Sequence, residues 1–411
     1  MQSVLKKIKP GKEEIDNLNK ITKEFLTKLN SKLKDAKAVL GGSGAKDTWL
    51  SGNHDVDLFV QFDRDKFSRE SHLISKHLEK TLKKVFPKFK IERLHGSRDY
   101  FQLYYKKLNF EVVPIIKINK SEDALNITDI SPLHAIWVNK NAQKLKDEIR
   151  LAKQFCRANK LYGAESHISG FSGYVLEILI SYYGSFEKLL KASLKWKDKE
   201  VIDPEKYYKN KHMVLFNLNN SKLKSPIIVV DPVDKERNAA AALSNEKMKQ
   251  FQKVAKQYLK SPSEKLFVRE EISKEQLMKE KGHLIFLNIT SLEGKHDVVG
   301  VKLLKAFEFL KKELSDFKVQ KYGWDWDGNE EAVFYFILKD NKLPEFEVRT
   351  GPPLKLTEYV KDFKKKNKNY FEKDGKLCAK IKVEFPKLED SIKNLLSQKY
   401  FKERVKKVKL N

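Results

Sequence analysis

Cysteine is nearly absent from this chain: there are two in 411 residues, Cys156 and Cys378. They stand far apart, on what read as a helix and a strand. No disulfide framework and no cysteine zinc site is expected, and a reduced cytoplasm fits. No apolar run reaches about eighteen residues, so no membrane-spanning helix is expected. The opening Met1-Gln2-Ser3-Val4-Leu5-Lys6-Lys7 has no apolar stretch of the secretory-signal kind. Internal repeats and long disordered tracts are missing too. Acidic residues are the other shortage. The 56 Asp and Glu face 83 Lys and Arg, a net charge of +27, with an isoelectric point near 9.6. Such an excess points to a polyanionic partner. Lysine supplies most of it, so the charge carries less weight than a motif does. The length gives room for two or three domains with adequate cores.

The most informative stretch runs from Leu40 to Val60. It joins Gly41-Gly42-Ser43-Gly44 to an acidic pair, Asp55 and Asp57, on the apolar run Val56-Leu58-Phe59-Val60. That run reads as a buried strand. Residues i and i+2 of a strand share a face, so both carboxylates project together. Burying two like charges side by side is costly unless something neutralises them. Mg²⁺, with its oxygen preference and retained waters, suits a carboxylate pair that also meets phosphate. Gly42 and its neighbours let backbone N–H groups approach an anion, and Ser43 adds a hydroxyl. Either half alone reads equally well as a turn before an edge strand with two solvated acids. Together they have the layout of a nucleotidyl-transfer site.

Two-metal phosphoryl transfer calls for a further carboxylate from a neighbouring strand. Two strand-like runs, Asp99–Tyr105 and Asn109–Ile116, flank a polar turn at Lys106-Lys107, as in a hairpin. Glu111 is the only acid in Phe110-Glu111-Val112-Val113-Pro114-Ile115-Ile116. Its plain alternative is a surface-facing strand residue; its dense apolar flanks favour a metal ligand. Asp99 competes for the role but sits at a turn. Trp324-Asp325-Trp326-Asp327-Gly328 also spells acid-x-acid, yet no Gly-Ser turn precedes it. Asp327-Gly328 before a β run reads as a hairpin tip.

The Gly-Ser turn followed by Asp55-x-Asp57 resembles the signature of the DNA polymerase β-like nucleotidyltransferase superfamily. The wording Gly42-Ser43-x-Ala45-Lys46-x-Thr48-Trp49-Leu50-x-Gly52 looks like the archaeal (class I) CCA-adding enzymes, the tRNA nucleotidyltransferases. Phe110-Glu111-Val112-Val113-Pro114 is similar to the family's third-carboxylate strand. Ser131-Pro132-Leu133-His134, Leu161-Tyr162-Gly163-Ala164-Glu165, Gly170-Phe171-Ser172-Gly173-Tyr174 and the block Val229–Ala241 follow in the expected order. The resemblance covers roughly residues 38 to 245; the last third matches by pattern. Two positions depart from it. Glu111 stands where Asp is usual, and Lys46 stands where relatives often carry Arg, a point charge in place of a fork.

The resemblance implies an α+β multidomain fold: a nucleotidyltransferase palm with a mixed sheet, a helical central domain, and a C-terminal α+β body. The expected bounds are 1–140, 141–261 and 262–411. Apolar spacing predicts helices over Lys12–Ala36, Ser68–Val85, Glu148–Asn159, Gly173–Tyr183 and Asn238–Leu259. Strands are expected at Val39–Gly41, Phe89–Leu94, His283–Ile289, Phe317–Tyr322 and Ala332–Lys339. With the helix Val299–Leu314, the last three suggest a ferredoxin-like or RNA-recognition-like module. Basic helices are expected at Lys355–Lys368 and Lys399–Lys409.

By the same resemblance, Asp55, Asp57 and Glu111 hold two Mg²⁺ ions. The 3′-hydroxyl of a tRNA attacks the α-phosphate of CTP or ATP, and pyrophosphate leaves. Ser43, Lys46, Ser131, His134, Lys153 and Tyr162 steady the triphosphate, and Arg237 reads the incoming base. The plain alternatives are a solvated charge for Lys153, a structural histidine for His134, which follows Pro132 in what reads as a loop, and for Arg237 a helix-start salt bridge with Asp231 or Asp234. The basic C-terminal half grips the acceptor stem and T-arm by phosphate contacts and A-form shape. A homodimer is expected from the family alone. The nearest rival is a poly(A) polymerase of the same superfamily, against which Tyr162-Gly163-Ala164 and Asp231–Asn238 argue. A non-catalytic tRNA-binding protein that kept the fold is the rival from another class, supported only by Glu111.

Overall fold

A computed structural model describes residues 1–52 and 55–410 of the protein. Asn53 and His54, inside the motif stretch, lie outside the described residues. The chain forms two compact units, Met1–Glu270 and Glu271–Asn411. Among the described residues no helix is long and apolar enough to cross a membrane.

The first unit opens with a five-stranded mixed sheet. Its strands are β1 (Ala36–Leu40), β2 (Asp55–Phe62), β3 (Glu92–Leu94), β4 (Tyr100–Tyr105) and β5 (Leu108–Ile116), in the order β1-β2-β5-β4-β3. Only β2 and β5 run parallel. Lys106 and Lys107, both with positive φ, make the two-residue turn between β4 and β5. That backbone matches strand twist in a hairpin. Phe25, on the helix Lys12–Asn30, stacks on Phe110 of β5 and on Phe86, with ring centroids 4.1 and 4.4 Å apart. This helix stops at Asn30, short of the expected Ala36. There the Asn30 amide clasps both backbone groups of Ala38 and starts β1. The helix expected over Ser68–Val85 is divided into a 3₁₀ segment, Ser68–Leu73, within which Glu70 leaves helical dihedrals, and an α-helix, Ile74–Val85.

The rest of this unit is mostly helical. Lys146–Ala158, Gly173–Tyr183, Phe186–Ser193 and Asn245–Lys260 enclose Phe155, Phe171, Phe186 and Phe251. Two expectations need correction. Ser131–Asn141 is a helix, not a loop, with Pro132 in its first turn, where a missing N–H costs nothing. The helix expected from Asn238 begins only at Asn245. Before it come β6 (Glu200–Ile202), β7 (Ile227–Asp231) and β8 (Asp234–Asn238), a small sheet. Side chains explain the difference. Asp231 accepts the Val233 N–H, and Asn238 accepts those of Val229 and Ala240, local bonds that compete with a helix. Ser244 then caps the true start by accepting from Lys247 N–H.

The second unit contains β9 (His283–Thr290), β10 (Val319–Trp326) and β11 (Glu331–Leu338), with the helix His296–Glu313 between β9 and β10. An insertion follows, with β12 (Phe346–Pro353), the basic helix Thr357–Lys366, β13 (Tyr370–Lys373) and β14 (Lys376–Lys382). The helix Leu388–Ser397 and β15 (Lys407–Leu410) close the unit. The order β10-β11-β9-β15, all antiparallel, completes a ferredoxin-like βαββαβ sheet. The helix expected over Lys399–Lys409 is reduced to Lys399–Lys402; the alternating Lys-Val-Lys-Leu that follows pairs with β9 as an edge strand. Asp327 and Gly328 fall in the turn between the paired β10 and β11, as expected of a hairpin tip; Trp324 and Trp326 lie in β10, and Trp326 stacks on His296 at 4.4 Å.

Candidate active site

In β2, Val56, Leu58, Val60 and Phe62 are buried, which sends Asp55 and Asp57 to the other face. β5 behaves alike: Phe110 and Val112 are buried, and Asn109 and Glu111 take the opposite side. The parallel register sets Asp57 beside Glu111 and Asp55 beside Asn109. Asn109 Nδ2 donates to Asp55 Oδ1 at 3.1 Å, and Gln102 Nε2 of β4 donates to Glu111 Oε2 at 3.2 Å. Asp99, the competitor, is bonded to Arg93 and His95 instead.

The glycine-rich turn winds into one short helical turn, Gly42–Lys46. Gly42 has a φ of +52°, and a Cβ there would overlap the Asp57 carboxylate. Only glycine lets the backbone press so close. Ser43 N–H donates to the Asp57 side chain, and Gly41 N–H to its carbonyl at 2.8 Å. Burial raises the Asp57 pKa, and Asp55 adds to the rise; Lys46, Lys153 and the Ser43 N–H oppose it without cancelling it. Among the described residues no three His, Cys, Asp or Glu converge closely enough, as they stand, to hold a metal. The donor set on this face is nevertheless all oxygen, and its central carboxylate is buried with too little positive charge. That chemistry fits a hard divalent cation.

Lys46 and Lys153 are not solvated; they are 9% and 3% exposed. Both bond to one carboxylate, Glu177, which is fully buried. Lys46 Nζ reaches Oε2 at 2.6 Å and Lys153 Nζ reaches Oε1 at 2.7 Å. Thr48 Oγ1 donates to Oε1 at 2.7 Å and accepts from Lys153 at 2.8 Å. Burial pushes the Glu177 pKa up, but Lys153 and Lys46 outweigh it and hold it at about 2. The Tyr162 hydroxyl and the Lys153 stem both border Gly173, so these two residues are neighbours. Arg157 lies over the Tyr162 ring, 4.8 Å from its centroid.

Ser131 begins the helix that carries His134. The His134 ring stacks on Tyr174, with centroids 4.0 Å apart. Its Nε2 lies 3.3 Å from Asp231 Oδ2 and 3.4 Å from Arg237 Nη1. Burial lowers the His134 pKa, Asp231 opposes this, and Arg237 and Lys46 add to the lowering. Arg237 does form a salt bridge with Asp231, though on a β-hairpin rather than at a helix start. Its side chain stays 31% exposed. Asp231, fully buried, also accepts from Tyr174 Oη at 2.9 Å.

Three features escaped the sequence reading: Glu177, Tyr174, and Asp231 as a partner of His134 as well as of Arg237. Glu177 did leave a signal. It is the lone acid in Gly173-Tyr174-Val175-Leu176-Glu177-Ile178-Leu179-Ile180. That is the same pattern that singled out Glu111 in its strand.

Three family models match in succession: a nucleotidyltransferase domain over residues 22–133, the second domain of tRNA nucleotidyltransferase over 147–268, and the C-terminal domain of CCA-adding enzyme over 296–408. The CCA-adding enzyme of Nanoarchaeum equitans is 34% identical over 92% of this chain and 91% of its own length. The chain belongs to the CCA-adding enzyme family. The family's member from Sulfurisphaera tokodaii is 31% identical over 97% of this chain and 92% of its own. Among solved structures, a poly(U) polymerase matches with a TM-score of 0.51 at 14% identity, covering 66% of this chain and 97% of that one. It shares the fold of the polymerase β-like nucleotidyltransferases. Membership in the CCA-adding family makes the chain a tRNA nucleotidyltransferase.

Proposed function

We propose that the protein adds CCA, without a template, to the 3′ end of tRNA, using CTP and ATP. The observation that carries this reading is the register of Asp57 against Glu111 beside the Gly42–Lys46 turn. Asp55, Asp57 and Glu111 would hold the Mg²⁺ pair, which supplies activation of the attacking hydroxyl and charge neutralisation at the triphosphate. The chain's own groups do the rest. Gly42 fixes the position of the Asp57 carboxylate. The N–H groups and hydroxyl of the Ser43 turn, with Lys46, Lys153 and Tyr162, orient the phosphate tail and offset its charge. Ser131 and His134 add a hydroxyl and an imidazole for the same phosphates. A neutral His134 with its proton on Nε2 donates to Asp231 and helps to hold that carboxylate against Arg237. Arg237, steadied at one edge, presents its remaining donors to the acceptor edge of the incoming base.

We assign the palm to 1–140, the helical domain to 141–261 and the tRNA-binding body to 262–411. In that body the helix Thr357–Lys366 ends in Lys364-Lys365-Lys366 and offers phosphate contacts to the acceptor stem and T-arm. A homodimer working in the cytoplasm completes the proposal. The test is Asp57→Ala, assayed for nucleotide incorporation and for tRNA affinity. Incorporation falls on the order of a thousandfold, the scale of losing a main electrostatic stabiliser, while tRNA affinity is kept. Retained incorporation would refute the assignment of this acid.

A further inference from the structure

We propose that Glu177 is a positioning residue for the nucleotide's phosphate tail. The inference rests on the reading of the acidic face as a nucleotidyl-transfer site. Lys46 comes from the turn beside Asp57, and Lys153 from the helix Lys146–Ala158. Two ammonium groups brought together in a buried place repel one another and lose hydration. Glu177 makes their approach possible. Its Oε2 takes Lys46 at 2.6 Å and its Oε1 takes Lys153 at 2.7 Å, so one carboxylate fixes both. The cluster keeps one net positive charge.

Its place in the chain matters as much as its charge. Glu177 lies on the helix Gly173–Tyr183, whose first residue borders the Tyr162 hydroxyl and the Lys153 stem. Thr48 bonds to both Glu177 and Lys153, and only Asp47 separates it from the glycine-rich turn. The carboxylate thus sets where the two cations stand relative to the acidic strand before any nucleotide arrives. A phosphate tail meets a pre-arranged pair of cations and spends less binding energy on ordering them. A merely structural ion pair would hold the helices together and leave nucleotide affinity alone.

The test compares wild type, Glu177→Gln and Glu177→Asp in steady-state CTP incorporation on tRNA lacking CCA, with inorganic tripolyphosphate as a competitor. In Glu177→Gln the KM for CTP and the inhibition constant of tripolyphosphate both rise about tenfold, the scale of a lost charge-assisted bond, while the KM for tRNA is unchanged. Glu177→Asp keeps the charge on a shorter arm and falls between the two. If Glu177→Gln does not fold, Glu177→Asp decides alone: a severalfold rise in both phosphate-tail constants supports the inference, and wild-type values overturn it. A folded Glu177→Gln with wild-type phosphate-tail constants overturns it too, whatever happens to its melting temperature. Failure of the wild type to incorporate any nucleotide would instead refute the underlying reading.

Discussion

Asp57 and Glu177 are both buried carboxylates of the first unit, yet they are treated in opposite ways. Glu177 bonds to two ammonium groups and a hydroxyl, and its pKa is held at about 2. Asp57 accepts the Ser43 N–H, has Asp55 beside it, and its pKa is raised. One environment is saturated with positive charge; the other is short of it. The first kind of carboxylate organises its neighbours. The second carries a cost in the ligand-free protein that only an incoming cation relieves. Natural sites retain such costs where activity requires them.

The sharpest way to break this contrast is to neutralise each acid in turn. Glu177→Gln leaves two buried ammonium groups unpaired and lowers unfolding free energy by about 3–5 kcal/mol, measured by denaturant titration at neutral pH. The pH dependence has a definite sign. The folded-state pKa of about 2 lies below the ordinary 4.5, so the unfolded chain binds more protons between those values. The stabilisation by Glu177 is therefore fully present above pH 4.5 and is lost as the pH falls toward 2. The gap between wild type and Glu177→Gln narrows over that window. Gly42→Ala comes next. Its Cβ must displace the Asp57 carboxylate, and a shift of about 1 Å costs about 100-fold in kcat/KM, with the fold retained by circular dichroism. Arg237→Ala follows, lowering kcat/KM for CTP about tenfold through loss of a forked base contact, with a smaller effect on tRNA affinity. The smallest effect is the mirror image of the first. Asp57→Asn removes a charge buried at a cost, so the inactive variant is more stable than wild type by about 0.5–2 kcal/mol. A destabilised Asp57→Asn would erase the contrast.

Much of the acidic face was legible because strand periodicity is rigid. Asp55 and Asp57 two apart, and Glu111 alone in an apolar strand, leave little freedom about which way they point. The βαββ run of the second unit was readable for the same reason. The failures share a cause, local side-chain bonding that overrides apolar spacing. Asn238 binds the Val229 and Ala240 N–H groups where spacing would have begun a helix, and Asn30 ends a helix that spacing would have extended. The insertion carrying β12, β13 and β14 is half exposed and lysine-rich, and none of its strands buries alternate residues that would set a period; β14 buries the consecutive Leu377, Cys378 and Ala379. The Arg237–Asp231 pair, six residues apart, was readable, whereas Glu177 and the further partners of Asp231 were missed because they are distant in sequence: Lys46 lies 131 residues from Glu177, and Tyr174 lies 57 residues from Asp231. Only the folded chain brings them together.

The central claim is tested most directly by incubating the wild-type protein with Mg²⁺, labelled CTP and ATP, and tRNA truncated before its CCA end, then sequencing the 3′ termini. The account predicts two C residues followed by one A, with no further extension. Termini carrying runs of A, or none extended at all, would contradict it.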